Sequence, residues 1–350
     1  MAGASALALA SRCLGRGSMR FLLPPRLRAG FSVVGPVEGK GPLAGYMDTV
    51  LEDTFYGERC WERTESKMLK EAVQQAIRRA GLQEADVDLC VTSDLLGQLV
   101  ASSFAMRSLD LPHLGLYSAC ASFAGGLAVA AMAVDAGFAR RVVVGASSHH
   151  DAAERQYRFP TELGVQRPPT AQWTVTGAGA VVVSGESADL GPYLTLATIG
   201  RVLDLGLKDP YDMGSAMAPA AADTLVRHFQ DTGRKAEDYD LILTGDLGRV
   251  GSRILVDWLA EQGLNIRGRH TDCGAILYDP SRQDVHAGGS GLASSACVVS
   301  GYVLKAMERG TLNRVLLVGT GCLHSPITSF QGESIPVVAH AVSLERAGAG

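Results

Sequence analysis

The strongest constraint on the fold of this 350-residue chain is an internal repeat. The segment AGLQEADVDLCVTSDL (80–95) aligns with TGRKAEDYDLILTGDL (232–247), and seven of the sixteen positions are identical. Each copy ends a helical pattern at a glycine, turns on acidic residues and enters an apolar strand. A chain that repeats helix, turn and strand in this way is built from two related halves.

A second pair of segments extends the repeat and indicates its register. AMAVDAGFARRVVVGAS (131–147) resembles VLKAMERGTLNRVLLVG (303–319), because each contains a helical pattern, a glycine turn and a buried strand. When their glycines are aligned, Cys120 lies opposite Ala293, beside the glycine-rich turn 288–291. Strands that alternate with helices predict an α/β fold with largely parallel sheets covered by helices.

The repeat also predicts the domain organisation. We place the two halves at 31–190 and 191–345, with GESADLG (185–191) as their connection. The first 30 residues contain five arginines and no acidic residue. We expect residues 1–30 to be a disordered tail, or the product of an upstream start codon with Met19 as the true beginning.

Composition excludes several classes of protein. The formal charge of -4 and the pI near 6.1 argue against a nucleic-acid partner, since nucleic-acid-binding domains are usually basic. No apolar run approaches the ~20 residues that cross a bilayer. The seven cysteines include no CxxC pair, which favours free thiols in a reducing compartment and argues against a zinc site. We therefore expect a cytoplasmic chain that is not secreted and needs no metal cofactor.

One of these cysteines occupies a position where chemistry is common. In GLYSACASFAGGLAV (115–129), a strand-like segment precedes Cys120 and a helix of small residues follows it. Ligands of α/β proteins collect at such strand-to-helix turns. Cys120 is therefore either a nucleophile or a small buried thiol in a tight turn.

Seven segments, which together span about residues 33 to 345, resemble the stage V sporulation protein AD family, a branch of the thiolase superfamily. They are VGPVEGKGPL (34–43), WERTESKML (61–69), SSHHDAAERQYRFPTELGVQRPPTAQWTVTGAGA (147–180), DMGSAMAPAAADT (212–224), YDLILTGDLG (239–248), HAGGSGLASSA (286–296) and QGESIPVVAHAV (331–342). The resemblance implies a thiolase-like fold, in which two halves related by a pseudo-two-fold axis form α-β-α-β-α layers, and it implies a homodimer.

The resemblance also carries expectations about function. It implies binding of dipicolinic acid (pyridine-2,6-dicarboxylate), or of its calcium chelate, during uptake into the developing spore. It implies the other SpoVA proteins as membrane partners, and hence peripheral association with the spore inner membrane.

Resemblance to the condensing enzymes of this superfamily raises the question of catalysis. Synthase III relatives carry a histidine shortly after the first strand of the second half, and an Asn or His on its glycine turn. Here the corresponding segments are Thr244-Gly245-Asp246-Leu247-Gly248 and the turn with Gly289 and Ser290. The sequence therefore predicts a non-enzyme in which Cys120 is a relic nucleophile. Catalysis stays open through Cys322 as a second thiol, or through a histidine near another strand end: His149, His150, His286, His324 or His340.

The expected pocket suits a small dianion, because two helix N-termini and their glycine turns present backbone N–H groups. Arginine would add forked hydrogen bonds to carboxylates. The predicted ligand-binding residues are Cys120, His149, Arg155, Gln156, Arg158, Thr174, Gly289, Ser290 and Cys322. The alternative for the two arginines is a salt bridge to Asp151, Glu154 or Glu162. Asp94 and Asp246, at equivalent positions of the repeat, either cap turns or bind calcium with the ligand.

Three functions remain open from the sequence. The first, which the missing histidine and asparagine favour, is a non-catalytic dipicolinate-binding protein. The second is an acyltransferase or condensing enzyme that uses Cys120 with an unusual base. The third is a scaffold within a membrane complex.

Overall fold

The computed structural model describes residues 12–158 and 167–348. Within these ranges the strands are β1 (Cys13–Leu14), β2 (Ser18–Arg20), β3 (Arg26–Val34), β4 (Thr49–Val50), β5 (Leu89–Ser93), β6 (His113–Gly115), β7 (Arg141–Ser148), β8 (Trp173–Thr174), β9 (Gly177–Ser184), β10 (Tyr193–Ile199), β11 (Leu241–Thr244), β12 (His270–Asp272), β13 (Gly289–Ser290), β14 (Arg314–Cys322) and β15 (Val337–Glu345). The helices are α1 (Trp61–Arg79), α2 (Val100–Met106), α3 (Ser122–Asp135), α4 (His150–Tyr157), α5 (Met213–Thr232), α6 (Gly248–Glu261), α7 (Cys273–Ile276), α8 (Leu292–Cys297), α9 (Leu304–Glu308) and α10 (Pro326–Phe330). A π-helical turn (Val298–Val303) joins α8 to α9.

The strand order repeats in the two halves. It is β3-β9-β7-β5-β6 in the first half and β10-β15-β14-β11-β12 in the second, and the halves meet where β3 pairs with β10. Equivalent neighbours have equivalent directions: β5 is parallel to β6 and β7, as β11 is to β12 and β14. This confirms the α/β fold with two related halves.

The expectation of largely parallel sheets is wrong for half of these pairings. β9 runs antiparallel to both β3 and β7, and β15 runs antiparallel to both β10 and β14. The reason is that the segment between β7 and β9 comes back to the same end of the sheet at which β7 finishes, so that Ser148 pairs with Gly177. No crossover separates these strands, and a crossover is what parallel pairing needs.

The layers follow from the alternation of side chains along the strands. On β9, Ala178, Ala180 and Val182 pack with α1, whereas Val181 and Val183 face the core that contains α3 and α8. Helix α3 packs against strands of both halves, and α5 covers the outer face of β14 and β15. The α-β-α-β-α architecture is thus confirmed.

Small residues allow α3 to lie in the middle layer. The helix is buried along nearly its whole length, including Gly125 and Gly126. The backbone of β14 comes so close that a Cβ added to Gly319 would lie 2.7 Å from the Cβ of Ala124. This close packing fixes the position of the first turn of α3, which follows directly after Cys120.

The predicted disorder of residues 1–30 is wrong for residues 12–30. Strand β2 pairs with β10, and β3 begins at Arg26 in the centre of the sheet. The arginines that suggested a tail have partners far away in the sequence: Arg12 pairs with Asp135, and Arg28 lies 2.8 Å from Asp189. The remainder of that prediction, residues 1–11, lies outside the described residues. In the part of the chain that the structure describes, no helix is long and apolar enough to cross a membrane.

Candidate functional site

Cys120 lies at the predicted strand-to-helix turn, between β6 and the start of α3. Its side chain is buried, with 6% of the residue exposed. The preceding residue, Ala119, has a positive φ of 46°. This left-handed conformation is unfavourable for alanine, so the tight turn before Cys120 is held by the surrounding structure.

A narrow cavity lies over Cys120, with about 410 Å³ of empty space including its open mouth. Five of the nine predicted ligand-binding residues line it: Cys120, Arg158, Thr174, Ser290 and Cys322. Sequence reasoning did not include the aromatic residues Tyr117 and Tyr157, although both lie close in sequence to predicted positions. His324, one of the five histidines considered for catalysis, also lines the cavity.

One wall of the cavity is built from both halves of the chain. Strand β8 of the first half pairs in parallel with β13 of the second, so that Thr174 lies beside Ser290. The amide of Gln172 donates to the carbonyl oxygens of Asp246 (2.6 Å) and Gly289 (2.9 Å). Gly289 therefore lies behind this wall and is not among the residues that line the cavity.

The residue of the second half that corresponds to Cys120 is also not the expected one. Ala293, its expected counterpart, is fully buried inside α8, whereas Gly291 precedes that helix and lines the cavity. Helix α8 continues through a π-helical turn, and a π-helical turn contains an extra residue relative to a regular α-helix. An alignment of Gly137 with Gly310 therefore does not align the start of α8 with the start of α3.

Asp246 is the residue that faces the Cys120 thiol. It follows β11, where the synthase III relatives are expected to carry histidine. Its carboxylate accepts hydrogen bonds from the Thr320 hydroxyl (2.6 Å) and the Gly291 N–H (3.0 Å). Burial raises the pKa of Asp246 to about 6, although the hydrogen bonds that it accepts lower it. The preferred expectation that Asp246 merely caps a turn is therefore incomplete.

Its repeat counterpart, Asp94, does have the expected capping role. The Asp94 carboxylate accepts from the backbone N–H groups of Leu96 (2.9 Å) and Ser102 (2.8 Å), at the start of α2. Across residues 12–158 and 167–348, no three His, Cys, Asp or Glu side chains are grouped as a metal site.

The surroundings of Cys120 disfavour its thiolate. Burial raises the pKa of the thiol well above its usual value, and the negative charge of Asp246 raises it further. Burial likewise raises the pKa of Cys322 to about 12. Because the thiolate is the nucleophile, both cysteines are weakly reactive at neutral pH.

Arg158 supplies the positive charge of the cavity. It follows the last residue of α4, and its backbone departs from helical geometry there (φ -128°, ψ 39°). Its guanidinium pairs with Glu154, as the salt-bridge alternative expected, and its Nε donates to the Pro210 carbonyl (3.3 Å). Glu162, another acid of that alternative, lies outside the described residues. Burial, together with the charge of Arg158, lowers the pKa of His324 to about 4, so this imidazole is neutral at pH 7.

The other three predicted side chains do not line the cavity. Arg155 pairs with Glu62 and is half exposed, because it lies on the outer side of α4. The buried ring of His149 donates to the Thr54 carbonyl (2.8 Å). Gln156 accepts from the Gly97 N–H (3.0 Å). Each of these residues has a partner that the linear sequence did not indicate.

Comparison with known proteins identifies the family and the fold of this chain. The family model for stage V sporulation protein AD (SpoVAD) matches residues 15–345. Stage V sporulation protein AD of Bacillus subtilis (strain 168) is 46% identical over 334 residues, which cover 95% of this chain and 98% of that protein.

Solved structures of condensing enzymes share the fold. The 3-oxoacyl-[acyl-carrier-protein] synthase III of Aquifex aeolicus VF5 has a TM-score of 0.55 at 16% identity, over 92% of this chain and 99% of its own. A variant of OleA from Xanthomonas campestris has a TM-score of 0.60 at 17% identity, over 95% of this chain and 98% of its own. At such identities the likeness concerns the fold alone. With a thiolase-like fold and a family match over nearly its whole length, this chain belongs to the stage V sporulation protein AD family of sporulation proteins.

Proposed function

We propose that this protein is a non-catalytic binding protein that holds dipicolinic acid in the cavity over Cys120 during its uptake into the developing spore. The observation that carries the proposal is the buried Asp246 carboxylate, which accepts from the Gly291 N–H of the cavity wall and whose negative charge acts on the Cys120 thiol. A carboxylate charge beside the thiol disfavours the thiolate, whereas acyl transfer needs a neighbour that stabilises or generates it.

The lining of the cavity is compatible with a planar dicarboxylate. Arg158 offers N–H donors to one carboxylate, and the hydroxyl groups of Thr174 and Ser290 can donate to the other. The rings of Tyr117 and Tyr157 supply flat apolar walls for a pyridine ring. A calcium chelate would bring less negative charge than the free dianion, so the affinities of the two forms should differ.

Isothermal titration calorimetry with dipicolinate, with and without calcium, tests this proposal. Replacing Arg158 with Gln removes a charged hydrogen-bond donor worth about 1.5–3 kcal/mol, so affinity should fall roughly ten- to hundred-fold. Arg155→Gln is the matched control, because the same change three residues away lies outside the cavity. Equal affinities of the two variants would refute the proposed site.

A second candidate function is an acyltransferase or condensing enzyme that uses Cys120. It is favoured by one observation, the presence of a neutral imidazole, His324, in the same cavity. Mass spectrometry after incubation with acyl-CoA compounds separates the two functions. A thioester on Cys120 that disappears in the His324→Ala variant would support the enzyme, and an unlabelled Cys120 would support the binding protein.

We further propose that the protein acts as a homodimer at the spore inner membrane, together with the other SpoVA proteins. The free edge of β6 supports a dimer, because its three residues are exposed and Leu114 leaves 45% of its surface in contact with solvent. Sedimentation of Leu114→Lys should show more monomer than the wild type. An unchanged sedimentation profile would exclude this edge as the dimer contact.

A further inference from the structure

A second concave surface, which shares no lining residue with the cavity over Cys120, lies beside the edge strand β12. This tyrosine groove encloses about 980 Å³ of space that is open to solvent. Its apolar lining includes Pro42, Leu43, Tyr46, Ile276, Pro280 and Tyr302. The first three come from the segment after β3, and the others follow β12 or belong to the π-helical turn.

The aromatic floor of the groove is preformed. The rings of Tyr46 and Tyr302 meet edge to face with centroids 5.0 Å apart. The backbone carbonyl of Tyr46 accepts from Lys305 Nζ (2.6 Å), and Tyr278, whose hydroxyl donates to Glu38 (2.5 Å), is almost fully buried below. Rigid tyrosine side chains lose little conformational entropy on binding, which makes them frequent anchors of interfaces.

Two exposed arginines and one acidic residue lie at the groove. Arg249 lines it and is exposed, and its guanidinium makes no hydrogen bond to any residue of the described ranges. Arg309 is also exposed, with its guanidinium carbon 5.9 Å from the centre of the Tyr46 ring. The acidic residue of the lining, Asp279, accepts from Ser281 and lies 3.6 Å from Arg282. Its pKa is lowered by the Ser281 hydrogen bonds and by the charges of Arg282 and Arg249. The two exposed guanidinium groups, Arg249 and Arg309, together outnumber this acid and can bind a further anion.

We propose that the tyrosine groove binds an extended acidic segment of a partner protein. Apolar side chains of that segment lie against Tyr46 and Tyr302, while its carboxylates pair with Arg249 and Arg309. The concave shape favours a single chain over a lipid surface, because a flat bilayer cannot reach the floor of a groove. This proposal does not depend on the ligand of the cavity, so each can fail without the other.

Fluorescence anisotropy with a labelled dodecapeptide that alternates Glu with Leu and Phe provides the test. We expect micromolar affinity that weakens with added salt, and at least a tenfold loss in both Arg249→Glu and Tyr302→Ala. The matched protein control is Arg107→Glu, since Arg107 is another exposed arginine above an aromatic ring, that of Phe104. The matched peptide control carries Lys in place of Glu.

Three results would overturn the proposal. Equal binding of the Glu and Lys peptides would show that charge does not select the partner. Binding of anionic phosphatidylserine vesicles that is lost in Arg249→Glu would identify the groove as a membrane contact instead. Loss of dimers in Arg249→Glu, measured by sedimentation, would identify the occupant as a second copy of this chain.

Discussion

The pairing of Cys120 with Asp246 couples the protonation of two buried groups. The carboxylate has a pKa near 6 and is mostly ionised at neutral pH, while the pKa of the neighbouring thiol is raised well above its usual value. Thr320 and the Gly291 N–H hold the carboxylate in place. The negative charge of Asp246 therefore adds to burial in disfavouring the thiolate form of Cys120.

Asp246→Asn should make Cys120 more reactive. Removing the negative charge lowers the pKa of the thiol, and one pKa unit increases the thiolate fraction about tenfold. Iodoacetamide labelling at pH 9, followed by peptide mapping, should show about tenfold faster modification of Cys120. Cys90 is the internal control, because burial alone raises its pKa to about 12. An unchanged rate at Cys120 would mean that burial alone keeps the thiol protonated.

Glu38 gives the protein a stability that depends on pH. Its buried carboxyl accepts from the Tyr278 hydroxyl (2.5 Å) and the Thr176 N–H (3.0 Å), and burial raises its pKa from 4.5 to about 7. Because the folded state holds this proton more tightly than the unfolded chain, the stabilisation is complete below pH 4.5. It is lost as pH rises through 7.

In Glu38→Gln that loss should disappear. Between about pH 4.5 and pH 7.5 the free energy of unfolding of the variant, relative to wild type, should rise by about 3 kcal/mol, since the pKa difference corresponds to ~1.4 kcal/mol per unit. Urea denaturation at the two pH values measures it. Glu237→Gln is the control, because Glu237 is exposed, and it should change the free energy of unfolding by the same amount at both pH values. An effect of Glu38→Gln that is the same at both pH values would contradict the raised pKa of Glu38.

At the residue scale, sequence reasoning predicts the position of Cys120 but only part of its surroundings. Arg158 and Arg155 are both basic and three residues apart, and only the end of α4 determines which one enters the cavity. The repeat draws attention to Asp246, yet its contact with Cys120 depends on how two turns from different halves approach each other. Neither the entry of Arg158 into the cavity nor the approach of Asp246 to Cys120 can be deduced from the spacing of residues along the sequence.

At the scale of elements, β9 shows why small residues occur in a central strand. It begins with GAGA and lies between α1 on one face and α8 on the other. The backbone of Ala296 lies so close to Gly179 that an added Cβ would collide with it. The glycine therefore allows close packing between strand and helix.

Gly179→Ala should destabilise the fold by about 1–3 kcal/mol, the usual effect of overfilling a packed core. The free energy of unfolding from urea denaturation measures this loss. Gly45→Ala is the control, because a Cβ there would meet no atom within 4 Å. Equal stabilities of the two variants would show that β9 and α8 can separate without strain.

At the scale of the whole molecule, the halves share one core. Helix α3 contributes Phe123 and Leu127, both fully buried, to a cluster that also contains Leu317 and Val342 of the second half. The continuous strand order across β3 and β10 joins the halves further. We therefore expect a single cooperative unfolding transition.

Leu127→Ala should test this cooperativity. The cavity that it creates costs about 2–5 kcal/mol. Trp61 reports on the first half and Trp258, in α6, on the second, so variants that retain one of these tryptophans can be compared by fluorescence. Both midpoints should shift together. A shift in the Trp61 transition alone would indicate halves that unfold independently.

The overall fold is largely predictable because the repeat specifies the order of helices and strands. The antiparallel direction of β9 and β15 is not predicted, because the repeated helix-and-strand pattern is extended to connections whose described residues contain only the short helices α4 and α10. The order of residues 12–30 escapes prediction for another reason. Their arginines are typical of a tail, and the acids that neutralise them, such as Asp135 and Asp189, are distant in the sequence.

The pairing of β8 with β13 has a consequence for synthesis of the protein. The hydrogen bond between Gln172 and Gly289 joins positions 117 residues apart. This wall of the cavity therefore cannot form until both β8 and β13 have left the ribosome. A small molecule that needs this wall cannot serve as a template for the nascent first half. Ligand present in the cell during translation should therefore leave the early steps of folding unchanged and should bind only the nearly finished chain.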